Sequence, residues 1–220
     1  MSERLEVHKT YKTYVNGNFP RSESERYYKV FDEEGKLLAN ACRCSRKDIR
    51  DAVKAARGAF SIWSSRSAYN RGQILYRIAE MLESRRGQFE VELKHIGFSE
   101  AEAEKEVNTS IDRLIYYAGW TDKYPQVFSS VNPVASAHFN FSVPEPTGLV
   151  GIVAPENSPL LGLISVAAPV IAGGNTCVIL ASQPFPLLSI SFAEVLNSSD
   201  VPGGVVNILT GHLEELLPPL

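Results

Sequence analysis

The chain has 220 residues, a net charge of −3, 44% apolar residues and 21% charged residues, a composition typical of a globular protein that can bury one or two cores. No excess of either charge indicates a nucleic-acid or anionic-membrane partner. The N-terminus lacks the apolar run of a signal peptide, and the longest apolar stretch, around Leu160–Ala172, is too short to span a bilayer. We therefore expect a cytoplasmic protein without a membrane partner.

The N-terminal residues predict short strands. Asn16-Gly17 lies between β-forming residues, which is a strong hairpin signal. Tyr27–Phe31 and Leu37–Ala41 predict two further strands, joined by a turn at Asp32–Gly35.

Four helices are predicted next. Ser45 caps the first, with Asp48 placed for a capping box. The others are predicted at Ala68–Arg86, at Gln88–Ile96, and from a cap at Ser99 to a point before Pro125. The acidic run Glu100–Glu106 is interpreted as a solvated helix face rather than a metal site. After Pro133, His138–Val143 alternates with period two and predicts a strand with one exposed face.

Residues 147–211 predict the unit around which the chain is organised. Three short apolar runs alternate with two helical stretches: Gly148–Ala154, Pro159–Ala172, Thr176–Leu180, Pro186–Asn197 and Val205–Leu209. Apolar runs of this kind indicate parallel strands that are buried on both faces. The fold class is therefore α/β, with a Rossmann-like parallel βαβαβ sheet preceded by strands and helices. Such sheets bind nucleotides at the carboxyl ends of their strands.

The three cysteines predict neither a disulfide framework nor a metal site. Cys42 and Cys44 are too close to pair without strain, and they lack the two-residue gap of a zinc or redox pair. Cys177 lies in a predicted buried strand, where a thiol is usually an inert apolar group. No histidine has a cysteine or serine neighbour arranged for nucleophilic catalysis.

Several strings, in order along the whole chain, resemble the aldehyde dehydrogenase superfamily in its N-terminal, cofactor-binding half. They are Tyr14–Gly17, Tyr117–Lys123, Pro146–Pro155, Asn157–Leu160, Ala168–Asn175 and Pro202–Gly211. The resemblance implies an N-terminal hairpin and helices over 1–135, an oligomerisation-type strand over 136–146 and an incomplete nucleotide-binding unit over 147–220. It also implies NAD(P)-dependent oxidation of an aldehyde to a carboxylic acid.

The resemblance assigns a catalytic role to Asn157. In the family, the asparagine at this position donates its side-chain amide to the substrate carbonyl oxygen. Thiolate attack on an aldehyde places negative charge on that oxygen, and a preorganised N–H group stabilises it. From the residues alone, Asn157 is equally a cap for the helix that is expected near Pro159. The two roles are compatible.

The resemblance places the dinucleotide along the end of the first strand and on the two strands that follow. The residues so implied are Ile152, Val153, Ala154, Pro155, Glu156, Leu180, Gln183 and Gly211.

This sequence departs from the family at several of these positions. Glu156 stands in place of a tryptophan, Leu180 in place of a ribose-binding lysine, Gln183 in place of an acidic residue, and Leu213 in place of a glycine, whereas Gly211 is kept. Loss of one charge-assisted hydrogen bond costs about 1.5–3 kcal/mol. We therefore expect a weakened site for NAD or NADP, with Gln183 recovering only part of the loss.

Family enzymes also use a cysteine nucleophile and a glutamate base beyond the third strand, and no cysteine here matches that motif. We expect an N-terminal fragment that is inactive alone. The alternative is a catalytically silent, aldehyde dehydrogenase-like structural or regulatory partner module. An open edge at the third strand and the strand His138–Val143 both favour a homo-oligomer or pairing with a second chain.

Overall fold

The computed structural model describes Leu5 and residues 7–220. Its strands are β1 (Thr10–Tyr11), β2 (Tyr27–Phe31), β3 (Leu37–Cys42), β4 (Ser130–Asn132), β5 (Asn140–Ser142), β6 (Leu149–Val153), β7 (Thr176–Leu180) and β8 (Val206–Leu209). Its helices are α1 (Arg46–Ser64), α2 (Ala68–Ser84), α3 (Arg86–His95), α4 (Glu100–Ala118), α5 (Lys123–Phe128), α6 (Leu161–Ala172), α7 (Pro186–Asn197) and α8 (Leu213–Leu216). The predicted elements occur in the predicted order, and β1, β4 and α5 are elements that were not predicted.

The N-terminal sheet has the order β1-β3-β2. The predicted strand pair is confirmed, since β2 and β3 are antiparallel neighbours. The turn between them begins at Asp32, whose side-chain Oδ1 accepts hydrogen bonds from the backbone N–H groups of Glu34 and Lys36. Strand β1 adds to the far side of β3 in parallel.

The predicted turn at Asn16-Gly17 is present and closes a short hairpin. Both residues have positive φ, 54° and 73°, as a type I′ turn requires. Val15 and Asn18 exchange two backbone hydrogen bonds across the turn, and the N–H of Thr13 donates to the Pro20 carbonyl at 3.2 Å. Tyr14 faces the other way and forms an antiparallel bridge to Ile208 of β8, with N–H···O distances of 2.9 and 2.7 Å. The chain before the turn therefore pairs with its own return segment on one side and with the parallel sheet on the other.

Local signals define the helices well. Ser45 forms the predicted capping box with Asp48, and Ser99, which is predicted as a cap, forms a capping box with Glu102. Within the described part of the chain, no helix is long and apolar enough to cross a membrane.

The three predicted parallel strands lie side by side in the order β6-β7-β8. Their side chains alternate between two cores, as the period of a strand requires. Cys177 and Ile179 of β7 belong to the larger core, which also contains residues of α2, α4, α6 and α7. Val178 and Leu180 belong to the smaller core beneath α1 and α8. Burial on both faces explains why the strand reads as a continuous apolar run.

The prediction of an open edge at the third strand is wrong. The far edge of β8 is covered by the Tyr14 bridge and by Cys44, whose backbone N–H donates to the carbonyl oxygen of Thr210 at 2.9 Å. Among the described residues, the edge without a strand partner is that of β6. Leu220 packs beside this strand, because a Cβ atom on Gly151 would lie 3.2 Å from its Cγ.

The strand predicted at His138–Val143 is shorter than expected. Only Asn140–Ser142 is extended, and it pairs antiparallel with β4. Both faces of β5 are exposed, rather than one.

Candidate functional site

The carboxyl ends of the parallel strands form one edge of the sheet. Val153, Leu180 and Leu209 are aligned across β6, β7 and β8. The pairing continues one residue further, with Ala154 N–H donating to the Leu180 carbonyl at 2.9 Å and Ala181 N–H to the Leu209 carbonyl at 2.8 Å. The three loops that carry the predicted site residues therefore start side by side.

The first loop presents Asn157 to solvent. Glu156 and Asn157 are exposed, whereas Ile152 and Ala154 behind them are buried in the larger core. The Asn157 side chain makes no hydrogen bond to any other described residue, so its amide is available to a ligand. The interpretation of Asn157 as a helix cap is wrong, because α6 begins at Leu161 and takes its cap from elsewhere.

That cap comes from Glu106, on α4. Its Oε1 atom accepts hydrogen bonds from the Ser158 hydroxyl at 2.9 Å and from the backbone N–H groups of Leu160 and Leu161 at 3.3 and 2.9 Å. The Ser158 hydroxyl in turn accepts from the N–H of Gly162 at 3.0 Å. The unpaired donors of the first turn of α6 are thus satisfied across more than 50 residues of chain.

Glu106 was missed because the acidic run was interpreted as a solvated helix face. That interpretation holds for Glu100 and Glu104, which are exposed. Glu106 differs because it lies three residues after the buried Ala103 and four before the buried Ser110, on the inward side of α4. This spacing is the one signal in the sequence that separates it from its acidic neighbours.

The opposite end of α6 is fixed as firmly. Trp63 Nε1 donates to the Ile171 carbonyl at 3.0 Å, and Arg71 Nε donates to the Ala172 carbonyl at 3.0 Å. Burial lowers the pKa of Arg71, but a guanidinium still stays charged in a protein. A carboxylate at the N-terminus and a cation at the C-terminus both match the helix dipole. Helix α6 is therefore anchored at both ends.

The second loop does not present Leu180 to solvent. Leu180 is 1% exposed and belongs to the smaller core with Ile49 and Leu216. Gln183 is half-buried, and its side-chain oxygen accepts a hydrogen bond from the backbone N–H of Leu213 at 3.2 Å. Both predicted cofactor residues of this strand are therefore engaged with the segment that leads into α8.

The third loop bends tightly at Gly211. This glycine has φ +151°, and a Cβ atom there would lie 2.9 Å from Leu216 Cδ1 and 3.2 Å from the Cys44 nitrogen. Helix α8 is then tied down by Glu215, which forms ion pairs with Arg43 and Arg26. The hydrogen bond from Arg43 lowers the pKa of Glu215.

The cysteines do not present a reactive thiol to this edge. All three are free and buried. Burial raises the pKa of the Cys177 thiol to about 12 and also raises the pKa of Cys44. Thiols held in this way are not nucleophiles at neutral pH. Within Leu5 and residues 7–220, no three His, Cys, Asp or Glu side chains are grouped to hold a metal ion.

A large open cavity of about 910 Å³ lies elsewhere, between α2 and the C-terminal end of α4. Cations and carboxylates line it in equal number: Arg66, Arg77, Lys123, Glu80, Asp122 and Asp200. None of the residues at the carboxyl edge contributes to it. We place the site at the edge, where the predicted residues converge, and not in this groove.

Comparison with known proteins shows the family of the chain. The profile described as "Aldehyde dehydrogenase family" matches residues 19–220. The mouse cytosolic 10-formyltetrahydrofolate dehydrogenase is 32% identical over 219 residues, which cover 95% of this chain and 24% of that protein. The putative aldehyde dehydrogenase DhaS of Bacillus subtilis (strain 168) is 30% identical over 222 residues, covering 98% of this chain and 44% of that protein. The chain thus spans less than half the length of these relatives.

Solved structures share the fold. An aldehyde dehydrogenase from Bacillus cereus, determined as an NAD+ complex, superposes with a TM-score of 0.91 at 26% identity, covering 96% of this chain and 43% of that one. The agreement extends from the N-terminal sheet through the βαβαβ unit. The chain belongs to the aldehyde dehydrogenase family and corresponds to its N-terminal part.

Proposed function

We propose that this chain supplies the dinucleotide-binding platform and one oxyanion donor of an NAD(P)-dependent aldehyde dehydrogenase. The observation that carries the proposal is the exposed Asn157 amide at the carboxyl edge of three aligned parallel strands. Nucleotides bind at this edge of such sheets.

The reaction we assign to the whole protein is the oxidation of an aldehyde to a carboxylic acid. A thiolate adds to the carbonyl carbon, and the Asn157 amide donates to the oxygen as charge develops on it. Bound NAD or NADP supplies the hydride acceptor, and water then releases the acyl group. The buried thiols of this chain do not suit the first step. We therefore propose that the nucleophile and the base lie in a segment or a chain other than these 220 residues.

The backbone of the strand ends suits dinucleotide binding better than the side chains at this edge do. The aligned strand ends and the exposed loop at Pro155 and Glu156 match what the fold offers a nucleotide. The buried Leu180 gives no polar contact, and the Gln183 oxygen is already bonded to Leu213. We propose a weak site, with affinity at least tenfold below that of a site with a ribose-binding lysine, since about 1.5–3 kcal/mol is lost.

A titration with NAD tests this site. We expect NAD at millimolar concentration to raise the melting temperature, because a ligand that binds only the folded state stabilises it. Glu156→Gln should tighten binding a few-fold, since a carboxylate near the diphosphate costs about 0.5–1 kcal/mol at the surface. The readout is thermal shift with NAD and, separately, with NADP.

Glu145→Gln is the matched control, because Glu145 is also exposed but precedes the opposite end of β6. Equal effects of the two variants would contradict binding at the carboxyl edge. No stabilisation of the unmodified chain would contradict the platform itself.

A second candidate function is a catalytically silent structural or regulatory partner. The observation that favours it is the apolar contact of Leu180 with Leu216 and Leu213, which closes the second strand end against α8. Under this alternative the chain gives no thermal shift with either dinucleotide, yet it still associates with a partner.

We also propose that the chain is a homo-oligomer, or pairs with a second chain, through β4 and β5. A two-stranded sheet is not stable alone in water. Val131, Phe139 and Phe141 are 70%, 74% and 57% exposed on it, and the two phenyl rings lie 5.4 Å apart. Contiguous apolar groups of this kind mark interaction surfaces. The proposed occupant is the same two-stranded sheet of a second copy.

Light scattering coupled to size-exclusion chromatography tests the association. The double variant Phe139→Ser, Phe141→Ser should shift the chain to monomer at concentrations where the unmodified chain is a dimer or larger. Tyr69→Ser is the control, because Tyr69 is 72% exposed but lies on α2. A monomeric unmodified chain, or equal dissociation by the control, would exclude this interface.

A further inference from the structure

We propose that Glu106 is a positioning residue for Asn157, fixing the backbone that orients its amide. The proposal rests on the proposed role of Asn157 as an oxyanion donor. It does not place Glu106 in contact with substrate.

The N-cap residue of α6 has no side-chain acceptor, because it is Leu160, and Pro159 before it has no N–H. The nearby Ser158 hydroxyl accepts only from Gly162. Without Glu106 the N–H groups of Leu160 and Leu161 would have no acceptor at a part-buried position, where an unpaired donor is costly. Glu106 satisfies both with one carboxylate oxygen. A charged acceptor also makes these bonds stronger than a neutral cap would.

The residues on both sides of Asn157 are held against α6. On its C-terminal side, Ser158 is held between Glu106 and the N–H of Gly162. On its N-terminal side, Pro155 lies so close to α6 that a Cβ atom on Gly162 would be 3.1 Å from its Cγ. Since the Asn157 side chain has no hydrogen bond of its own within the described chain, its direction is set by the backbone between these two anchors.

The contact also decides which donors are left for a ligand. A free helix N-terminus is an anion site. Here the first N–H groups of α6 are turned toward the Glu106 carboxylate. The negative charge of Glu106 is offset by the helix dipole. The Asn157 amide is therefore the donor that this end of α6 presents to a developing oxyanion.

The test combines amide hydrogen exchange with NMR of the Asn157 side-chain amide. Glu106→Gln should speed exchange at Leu160 and Leu161 about tenfold, since it removes the charge from the acceptor. It should also shift the side-chain amide signals of Asn157. Glu106→Ala should enlarge both effects. If Glu106→Ala does not fold, the results for Glu106→Gln alone decide the test.

Glu104→Gln is the matched control, with the same charge change on an exposed position of α4. It should leave both readouts unchanged. Unchanged exchange and unchanged Asn157 signals in Glu106→Gln would overturn the proposal. A uniform rise in exchange over the whole chain would overturn it as well, because it would mean a general loss of stability.

Benzaldehyde separates this proposal from the proposed function. We expect it to perturb the Asn157 amide signals of the unmodified chain, and to do so with about tenfold weaker affinity in Glu106→Gln. In one outcome, Glu106→Gln shifts the Asn157 signals and speeds exchange while the unmodified chain does not respond to benzaldehyde. That result would support the positioning of Asn157 by Glu106 and would overturn the role of Asn157 toward aldehydes.

Discussion

Trp63→Ala is expected to lower the free energy of unfolding by about 3–5 kcal/mol, the usual cost of removing a fully buried aromatic side chain. Trp63 is 0% exposed, and its Nε1 donates to the carbonyl of Ile171 at the C-terminal end of α6. The variant therefore creates a cavity and removes the indole hydrogen bond, while the Ile171 carbonyl keeps its bond from the backbone N–H of Gly174 at 3.1 Å. Chemical denaturation monitored by circular dichroism measures the change.

Trp63→Phe separates these two contributions. The phenyl ring fills most of the space but cannot donate, so we expect a smaller loss of about 0.5–1.5 kcal/mol from the missing hydrogen bond. A loss below about 1 kcal/mol for Trp63→Ala would contradict the close packing around the Trp63 side chain. The result bears on the site because Trp63 contacts the C-terminal end of α6, and Asn157 lies in the loop before the other end of this helix.

Local patterns predict much of this fold, because the interactions that decide it are local. Ser45 and Ser99 start helices by hydrogen bonds within four residues. The strand Thr176–Leu180 was predicted with the right bounds, because burial on both faces leaves a continuous apolar run.

The errors lie where distant segments meet. The hairpin at Asn16-Gly17 is local and forms, but Tyr14 within it also makes two backbone hydrogen bonds to Ile208 of β8. The prediction of an open edge at the third strand is wrong because of this pairing. No local sequence pattern predicts the pairing of Tyr14 with Ile208, because the two residues are almost 200 positions apart in the chain.

In the candidate site, too, the residues marked by local sequence were predicted, and the contacts between distant segments were not. The family resemblance gave Asn157 and the strand ends, and the parallel register brings them to one edge. The partner of the loop, Glu106, is on a different helix, and only the tertiary fold brings the two together. Leu180 was recognised as a departure from the family, but its burial under α8 depends on Leu216.

Leu180→Lys is expected to lower the free energy of unfolding by about 3–5 kcal/mol at neutral pH, because it places an ammonium group in an apolar core. Burial disfavours the charged form and lowers the pKa of the introduced amine below its ordinary value of about 10.4. The unfolded chain then binds more protons than the folded chain between these two pKa values. The variant should therefore regain stability as the pH rises through that window.

Leu180→Met is the control, since a swap of similar volume in a core usually costs less than about 1.5 kcal/mol. NAD then distinguishes a core position from a cofactor position. If Leu180 weakens the site because it lacks a ribose donor, NAD should recover part of the stability lost in Leu180→Lys and add little in Leu180→Met. When NAD is bound at the carboxyl edge, the lysine chain is long enough to reach it and place its charged end there instead of in the core. An equal or larger response of Leu180→Met to NAD would mean that Leu180 serves only the contact with α8, and that the weak site has another cause.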